Sequence, residues 1–264
     1  MNRKFFPKAD RWVSGAAFSE PFVQVSRVFG APAGLDGMTA LFVSDVHLRP
    51  AMDAQRLAQL LQEQRADLVL LGGDLADTRQ QALRLIRALR GLCVPMGIFA
   101  VPGNNDAEAF GSLSALRAAL AEMGAALLVN ESAICLRGGA RLAIGGVDEL
   151  RYGAPSPESV FSEDADYRIL LSHYPVAGML AARPDLMLCG HTHGGQFNLF
   201  GLTPYAVGFE RFGRRCFPPL LVSGEARFGL SRVLVSKGVG SSRIPLRVGV
   251  RPEIHRIEFC AVAK

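Results

Sequence analysis

The chain has 264 residues, 49% of them hydrophobic, and a formal net charge of +5. This length suits one α/β domain, and the composition allows a large buried core. Five widely spaced cysteines without a Cys-x-x-Cys pair argue against a disulfide framework. No window is apolar over the roughly 18 residues that a membrane helix needs. The basic charge favours anionic partners.

Residues 1–37 are predicted to form an N-terminal arm before a domain at 38–264. The arm has no long apolar segment of the kind found in signal peptides, so we expect a cytoplasmic protein. A packed or mobile arm is one interpretation. A peripheral contact with the inner membrane surface is the alternative, because basic and aromatic side chains suit an interface. Those side chains are Arg3, Lys4, Phe5, Phe6, Lys8, Arg11 and Trp12.

Strands and helices alternate in the first half of the chain. The apolar runs that predict buried strands are 40–43, 67–71 and 98–101. The apolar stripes at helical spacing that predict amphipathic helices cover 54–64, 78–90 and 113–123. This order predicts βαβ units with buried parallel strands.

The second half is richer in strands, with one short helix predicted at 175–182. Its apolar runs are 126–129, 133–136, 141–145, 168–171, 185–189, 219–222, 232–236 and 254–259. The whole pattern predicts an α/β protein built as a sandwich of two sheets with helices outside.

Polar side chains follow five of these predicted strands, at the ends where ligand sites form in α/β folds. In chain order they are Asp45 and His47, then Asp74 and Asp77, then Asn104, Asn105 and Asp106, then His173, and finally His191 and His193 within Gly-His-Thr-His-Gly-Gly. Each motif alone has an ordinary structural explanation, such as a turn or a hydrogen-bonded histidine. Together, in this order, they indicate a metal site.

The residue types define the chemistry of that site. Asp45 and His47 are two residues apart, so in an extended segment they would point to the same side and reach one ion. The two oxygens of Asp74 can bridge two cations. Mixed nitrogen and oxygen ligands without thiolate favour Mn, Fe, Zn or Co. Two metals about 3.5–4 Å apart can hold a phosphate and activate a hydroxide for in-line attack.

Over residues 38–259 this pattern resembles the calcineurin-like metallophosphoesterase superfamily. The resemblance extends through Gln196, which completes Gly-His-Thr-His-Gly-Gly-Gln, and into the ending around Pro245-Leu246-Arg247 and Arg251-Pro252-Glu253. These features are similar to a bacterial branch of small, often membrane-associated phosphoesterases. The resemblance implies a four-layer α/β/β/α sandwich of two mixed sheets flanked by helices, and a hydrolase that acts on phosphoric ester or diphosphate bonds.

The same resemblance implies two divalent metal ions, Mn, Fe or Zn, with Mn the choice for assays in vitro. A hydroxide that bridges the ions is then the nucleophile, so no protein nucleophile is expected. The implied ligands are Asp45, His47 and His193 for the first ion, Asn104, His173 and His191 for the second, and Asp74 as the bridge.

One position departs from the superfamily pattern, because Asn105 stands where the catalytic histidine is usual. Asparagine can hydrogen-bond a phosphoryl oxygen, but it cannot donate a proton as an acid. This favours leaving groups that need little protonation, such as a nucleotide or a phosphoryl group. Asp77 is predicted to cap the helix at 78–90, with support of a metal ligand as the alternative.

The segment 196–232 mixes aromatic residues with arginines, among them Arg211, Arg214 and Arg215. Arginine is well shaped for phosphate contact, so these three are predicted substrate-binding residues. Packing of the aromatic residues on the sandwich is the alternative. A substrate with apolar and phosphate parts fits this composition, as does single-stranded nucleic acid.

The predicted function is therefore a dinuclear-metal-dependent phosphohydrolase that cleaves a phosphodiester or pyrophosphate bond. The resemblance indicates a UDP-sugar-lipid diphosphate as the most specific substrate, and a phosphorylated small molecule as the broader class. The alternatives are a non-catalytic scaffold on the same fold and a nuclease.

Overall fold

The computed structural model describes residues 13–14, 21–200, 202–205 and 219–261. The strands in these residues are β1 (Val13–Ser14), β2 (Phe22–Ala31), β3 (Thr39–Val43), β4 (Leu68–Leu71), β5 (Ile98–Ala100), β6 (Ala125–Leu127), β7 (Glu131–Arg137), β8 (Ala140–Gly146), β9 (Tyr167–Ser172), β10 (Leu186–Cys189), β11 (Gly224–Phe228), β12 (Ser231–Val235), β13 (Arg247–Val248) and β14 (Glu253–Ala261). The α-helices are α1 (Ala54–Glu63), α2 (Arg79–Leu89), α3 (Asn104–Phe110) and α4 (Leu113–Ala121).

Most of these strands form two mixed six-stranded sheets. The order in the first sheet is β2-β14-β3-β4-β5-β6, and in the second it is β11-β12-β10-β9-β8-β7. Strands β3 to β6 are parallel, as the βαβ pattern predicts, and β14 runs antiparallel to β3. In the second sheet β8, β9, β10 and β12 are parallel, with antiparallel neighbours at both edges. Strands β1 and β13 form a separate antiparallel pair.

The two sheets pack face to face, and alternate residues of each strand point to opposite layers. Phe42 and Leu70 of the first sheet share one buried cluster with Ile169 and Leu188 of the second. The other face of the first sheet packs against α1, α2 and α4, whose apolar stripes supply residues such as Leu57, Leu85 and Leu116. The predicted two-sheet α/β sandwich is thereby confirmed.

The outer face of the second sheet has a different cover. Among the described residues, the helical turns on that side are short 3-10 segments, at Pro157–Ser159 and Ala177–Ala182. Met179 of the second segment packs against Met187 of β10 and Val233 of β12. The short helix predicted at 175–182 is therefore present, as a 3-10 helix.

The structure moves the predicted domain boundary toward the N-terminus. Within the expected arm, β2 pairs with β14 along its length, and Leu35 and Met38 are fully buried. This edge strand is held by backbone hydrogen bonds and has many exposed side chains, so it lacks the apolar run by which buried strands are recognised. Residues 1–12 and 15–20 of the expected arm lie outside the described residues.

The strand predicted at 219–222 is wrong. Leu220 and Leu221 are irregular and pack against the third buried cluster, while the backbone N–H of Leu220 donates to the Pro175 carbonyl at 2.7 Å. The neighbouring strand is β11, which begins two residues later and carries exposed polar side chains. None of the helices in the described ranges is both long and apolar enough to cross a membrane.

Candidate metal centre

The predicted ligands gather at one edge of the sandwich, because they follow the carboxyl ends of parallel strands in both sheets. Asp45 and His47 follow β3, Asp74 follows β4, and Asn104 begins α3 after β5. From the second sheet, His173 follows β9, while His191 and His193 follow β10. The sandwich brings the two sets together across the junction of the sheets.

Asp45, His47 and His193 form the first group, in which one potential ligand atom from each residue lies within 4.8 Å of the others. All three side chains are buried. His193 Nε2 is 3.4 Å from an oxygen of Asp45, and the His47 and His193 ring centroids are 4.9 Å apart. This is the set that the resemblance assigns to one ion.

Asp74 lies between this first group and a second one that contains Asp45, Asp74 and His173. Its Oδ2 atom is 3.4 Å from Nε2 of His47 and 3.4 Å from Nε2 of His173. One carboxylate oxygen thus faces both groups, as a bridging ligand requires. Asp45 also belongs to both groups, which the sequence did not indicate.

The remaining predicted ligands lie beside His173. His191 Nδ1 is 3.3 Å from His173 Nε2. Tyr174 lies against both, because its hydroxyl donates to Asn104 Oδ1 at 3.2 Å and its ring centroid is 3.9 Å from that of His191. All seven predicted ligands are therefore in one cluster.

Hydrogen bonds fix which ring nitrogen of two histidines faces this cluster. Nδ1 of His173 donates to the Gly72 carbonyl at 2.8 Å, and Nδ1 of His47 donates to Asp77 at 2.5 Å. In a neutral imidazole this leaves the lone pair on Nε2. Nε2 of His47 is buried and has no hydrogen-bond partner. A buried lone pair beside the Asp74 carboxylate fits a bound cation, and the outer hydrogen bonds are those of metal-ligating histidines.

The electrostatics of the cluster also fit a cation. Burial raises the pKa of Asp74, but the imidazoles of His173 and His47 outweigh it and hold that pKa well below its usual range. Burial lowers the pKa of His173, but Asp74 and Asp45 raise it to about 10. Burial and the charge on His173 lower the pKa of His191 to about 3. Without metal, the carboxylates thus attract a single positive charge to the place where the ligand atoms converge.

Asp77 is the place where the preferred sequence interpretation is wrong. The N-cap of α2 is Thr78, whose hydroxyl accepts from the Gln81 N–H at 3.4 Å. The Asp77 carboxylate instead accepts from His47 and lies 3.6 Å from Arg49. The alternative interpretation, support of a metal ligand, is therefore correct.

Asn105 contacts Asp74, and its neighbour Asp106 is a supporting residue that the sequence prediction missed. The backbone N–H and side-chain amide of Asn105 donate to the two oxygens of Asp74, at 2.8 and 2.6 Å. The buried carboxylate of Asp106 accepts from the backbone N–H groups of Asp74 and Leu75, at 2.7 and 2.9 Å. Burial and the charge of Asp74 raise the pKa of Asp106 to about 7. Its position in Gly-Asn-Asn-Asp was the available signal.

Two glycines let the backbone approach the carboxylates. A Cβ atom on Gly103 would lie 2.1 Å from Asp74 Oδ1, and one on Gly190 would lie 2.2 Å from Asp45 Oδ2. The glycines of these motifs are therefore steric requirements at the metal centre.

Asp45 and His47 have φ angles of 51° and 39°, so the segment that joins them is not extended. They share one group through a left-handed backbone, and the predicted alternation of an extended segment does not apply. The predicted substrate contacts Arg211, Arg214 and Arg215 lie outside the described residues.

A two-sheet α/β sandwich with a buried cluster of carboxylates and imidazoles at its strand ends defines a metal-dependent hydrolase of phosphate compounds. The family model for calcineurin-like phosphoesterases matches residues 38–195. The chain belongs to this family, and it is a metallophosphoesterase with a divalent metal centre.

Named relatives agree with this assignment. The chain is 30% identical to the uncharacterized metallophosphoesterase YkuE of Bacillus subtilis over 84% of its own length and 79% of the relative. It is 31% identical to the phosphodiesterase YaeI of Escherichia coli, over 83% and 81%. It is also 30% identical to a transmembrane protein with metallophosphoesterase domain from Danio rerio, over 86% of this chain and 54% of that one.

Proposed function

We propose that the protein is a dinuclear-metal phosphohydrolase that cleaves a phosphodiester or pyrophosphate bond. The observation that carries this proposal is the position of Asp74, with one carboxylate oxygen 3.4 Å from a histidine of each ligand group. A single cation needs only one of these groups. Two groups that share a buried carboxylate are the arrangement for two neighbouring ions.

Two divalent cations held there would polarise a phosphoryl oxygen and supply an ionised water as the nucleophile. The chain contributes the rest. His47 and His173 are held by Asp77 and Gly72, so their Nε2 atoms stay directed at the centre. Asn105 Nδ2 and the backbone N–H of Asn105 orient the bridging carboxylate.

The identity of residue 105 supports a substrate with a good leaving group. Asn105 cannot protonate a departing oxygen, and general acid help is worth roughly 10²–10⁴ in rate. Its amide is, moreover, engaged with Asp74 at 2.6 Å. A phosphodiester or diphosphate bond, whose leaving group is a weaker base than an alkoxide, suits such a site better than an alkyl monoester.

A lipid-linked diphosphate of the UDP-sugar-lipid type is the substrate class that we propose. Four large apolar side chains are exposed close to the centre, and we call them the apolar tip. They belong to Leu199, Phe200, Leu202 and Ile244. Exposed apolar patches mark membrane or ligand contacts. The tip is joined to the centre through Gln196, whose side-chain amide donates to the Ile244 carbonyl at 2.9 Å.

The test is hydrolysis by purified protein loaded with Mn²⁺. We expect turnover of bis-p-nitrophenyl phosphate to exceed that of p-nitrophenyl phosphate, and Asp74→Asn to abolish it, since the amide keeps the shape of the side chain but loses one ligand oxygen and the charge. Absence of activity on every activated phosphodiester and diphosphate would refute the proposal.

The substrate class needs a separate measurement. A screen of the Mn-loaded protein over UDP-sugars, UDP-sugar lipids in detergent, cyclic nucleotides and single- and double-stranded DNA separates the rivals, with phosphorus NMR to show which bond breaks. Preference for the UDP-sugar lipid over the UDP-sugar without its acyl chains is the expected result. Cleavage of DNA in preference to both would establish a nuclease instead.

A further inference from the structure

Residues 238–247, here called the support segment, follow β12 and lie beyond the part of the chain that the family model matches. Their backbone packs directly on the first ligand. The N–H of Gly240 donates to the Asp45 carbonyl at 2.7 Å, and the N–H of Val239 donates to the Ser44 carbonyl at 3.2 Å. A Cβ on Gly240 would lie 2.0 Å from the Val46 carbonyl oxygen, so only glycine permits this contact.

Arg247 at the end of the support segment reaches the second ligand of the same group. Its side chain is fully buried. Nη2 donates to His193 Nδ1 at 3.1 Å, and Nε donates to the Gly240 carbonyl at 2.6 Å. A guanidinium has only donors, and its planar fork fixes the directions of the hydrogen bonds. Arg247 therefore sets the orientation of the His193 ring relative to the backbone that holds Asp45.

The third ligand of that group is reached from the other side. Nη2 of Arg49 donates to the Ser241 carbonyl at 2.9 Å and lies 3.6 Å from the Asp77 carboxylate. Asp77 in turn accepts from His47. A chain of contacts thus runs from the support segment through Arg49 and Asp77 to His47.

Gln196 closes the support segment into a compact loop. Its Nε2 atom lies 3.1, 2.9 and 3.0 Å from the carbonyl oxygens of Ser242, Ile244 and Leu246, and its Oε1 accepts from the Ser242 N–H at 2.9 Å. Because Gln196 is three residues from His193, this loop is attached to the strand end that carries the ligand.

The ligands of the other half have different supports. His173 donates to the Gly72 carbonyl, Asn104 accepts from Tyr174, and Asp74 is held by Asn105 and Asp106. None of these partners belongs to residues 238–247. In the described part of the chain, the contacts of the support segment with ligands and with Asp77 go to one half alone.

We infer that the support segment holds the Asp45–His47–His193 half of the metal centre and leaves the other half independent, with Arg247 as the positioning residue for His193. The inference rests on the proposed two-metal function. It implies that damage to the segment yields a folded protein with one ion, in place of a general loss of metal binding.

The experiment is metal loading of Arg247→Gln with Mn²⁺, followed by elemental analysis and electron paramagnetic resonance of the washed protein. The unaltered protein should hold two Mn²⁺ per chain with an exchange-coupled spectrum. The variant should hold one, with the spectrum of an isolated ion, and its second site should bind at least about tenfold more weakly. Arg243→Gln is the matched control, because Arg243 is an exposed residue of the same segment. It should keep both ions.

Two coupled ions in a folded Arg247→Gln protein, or loss of both ions from it, would overturn the inference. Should this variant fail to fold, Arg49→Gln tests the same half through His47 and should also lower the Mn²⁺ content toward one. If the unaltered protein held a single ion, the two-metal function itself would fail. If it held two and both variants held two, only the inference about the support segment would fail.

Discussion

Glu253 is a buried carboxylate whose contribution to stability can be worked out from its contacts. Its side chain accepts from Lys237 Nζ at 2.7 Å, from the Lys237 N–H at 3.0 Å and from His255 Nε2 at 3.1 Å. Burial raises its pKa, but the hydrogen bonds and charges of His255 and Lys237 outweigh burial and lower the pKa from 4.5 to about 2. Such a shift corresponds to about 3 kcal/mol of folding free energy.

The sign follows from the direction of the shift. The folded-state pKa is depressed, so the stabilisation is fully present above pH 4.5 and is lost as the pH falls toward 2. Substitution Glu253→Gln removes the titrating group with little change in shape. We therefore expect the unaltered protein to exceed the variant by about 3 kcal/mol in unfolding free energy at pH 6, and this difference to shrink steadily below pH 4.5.

Urea unfolding of both proteins in chelator, at a series of pH values from 6 to 3, measures this difference. Chelation removes any contribution from bound metal, and the comparison cancels the other carboxylates. A difference that stays constant over this range would refute the reasoning, as would a Glu253→Gln protein as stable as the unaltered one at pH 6.

Two further predictions concern the metal centre, and each has a matched control. Gly103→Ala should remove metal binding and destabilise the protein by about 1–3 kcal/mol, because its Cβ would meet Asp74; Gly91→Ala, with open space around its Cβ, should be close to neutral in calorimetry and metal analysis. Asp77→Ala should weaken binding of one Mn²⁺ by roughly 10- to 100-fold in titration calorimetry. The adjacent Thr78→Ala should instead lower the unfolding free energy by about 1 kcal/mol with unchanged Mn²⁺ affinity; the opposite pattern would restore the capping interpretation of Asp77.

The sequence predicts the layers well, since the apolar runs and stripes are long. The stripes that predict α1, α2 and α4 are the faces that pack on the first sheet, and Leu57, Leu85 and Leu116 are buried as expected. It predicts less at the edges. Strands β2 and β11 expose much of their length and depend on backbone pairing, which leaves only a weak pattern in residue type.

Helix α3 shows why local signals at the site are ambiguous. Gly103, Asn104, Asn105 and Asp106 suit a loop, because asparagine and glycine tolerate a positive φ. In the structure Gly103 is instead the N-cap of α3, and Asp106 in its first turn accepts from the Gly103 N–H at 3.1 Å. A carboxylate is favourable at a helix N-terminus, so the same composition serves either structure. Only the tertiary contact with Asp74 decides between them.

The ligand types are readable from the sequence, but the backbone that presents them is not. Five predicted ligands have φ in the left-handed region, namely Asp45, His47, Asp74, His191 and His193. A non-glycine residue there costs of order 1–3 kcal/mol, and such strain persists only where the surrounding structure over-determines it. The buried strands that precede these ligands supply part of that constraint. The N–H of Gly240, which donates to the Asp45 carbonyl, supplies another part from a segment almost two hundred residues away, and no local pattern around Asp45 could have indicated it.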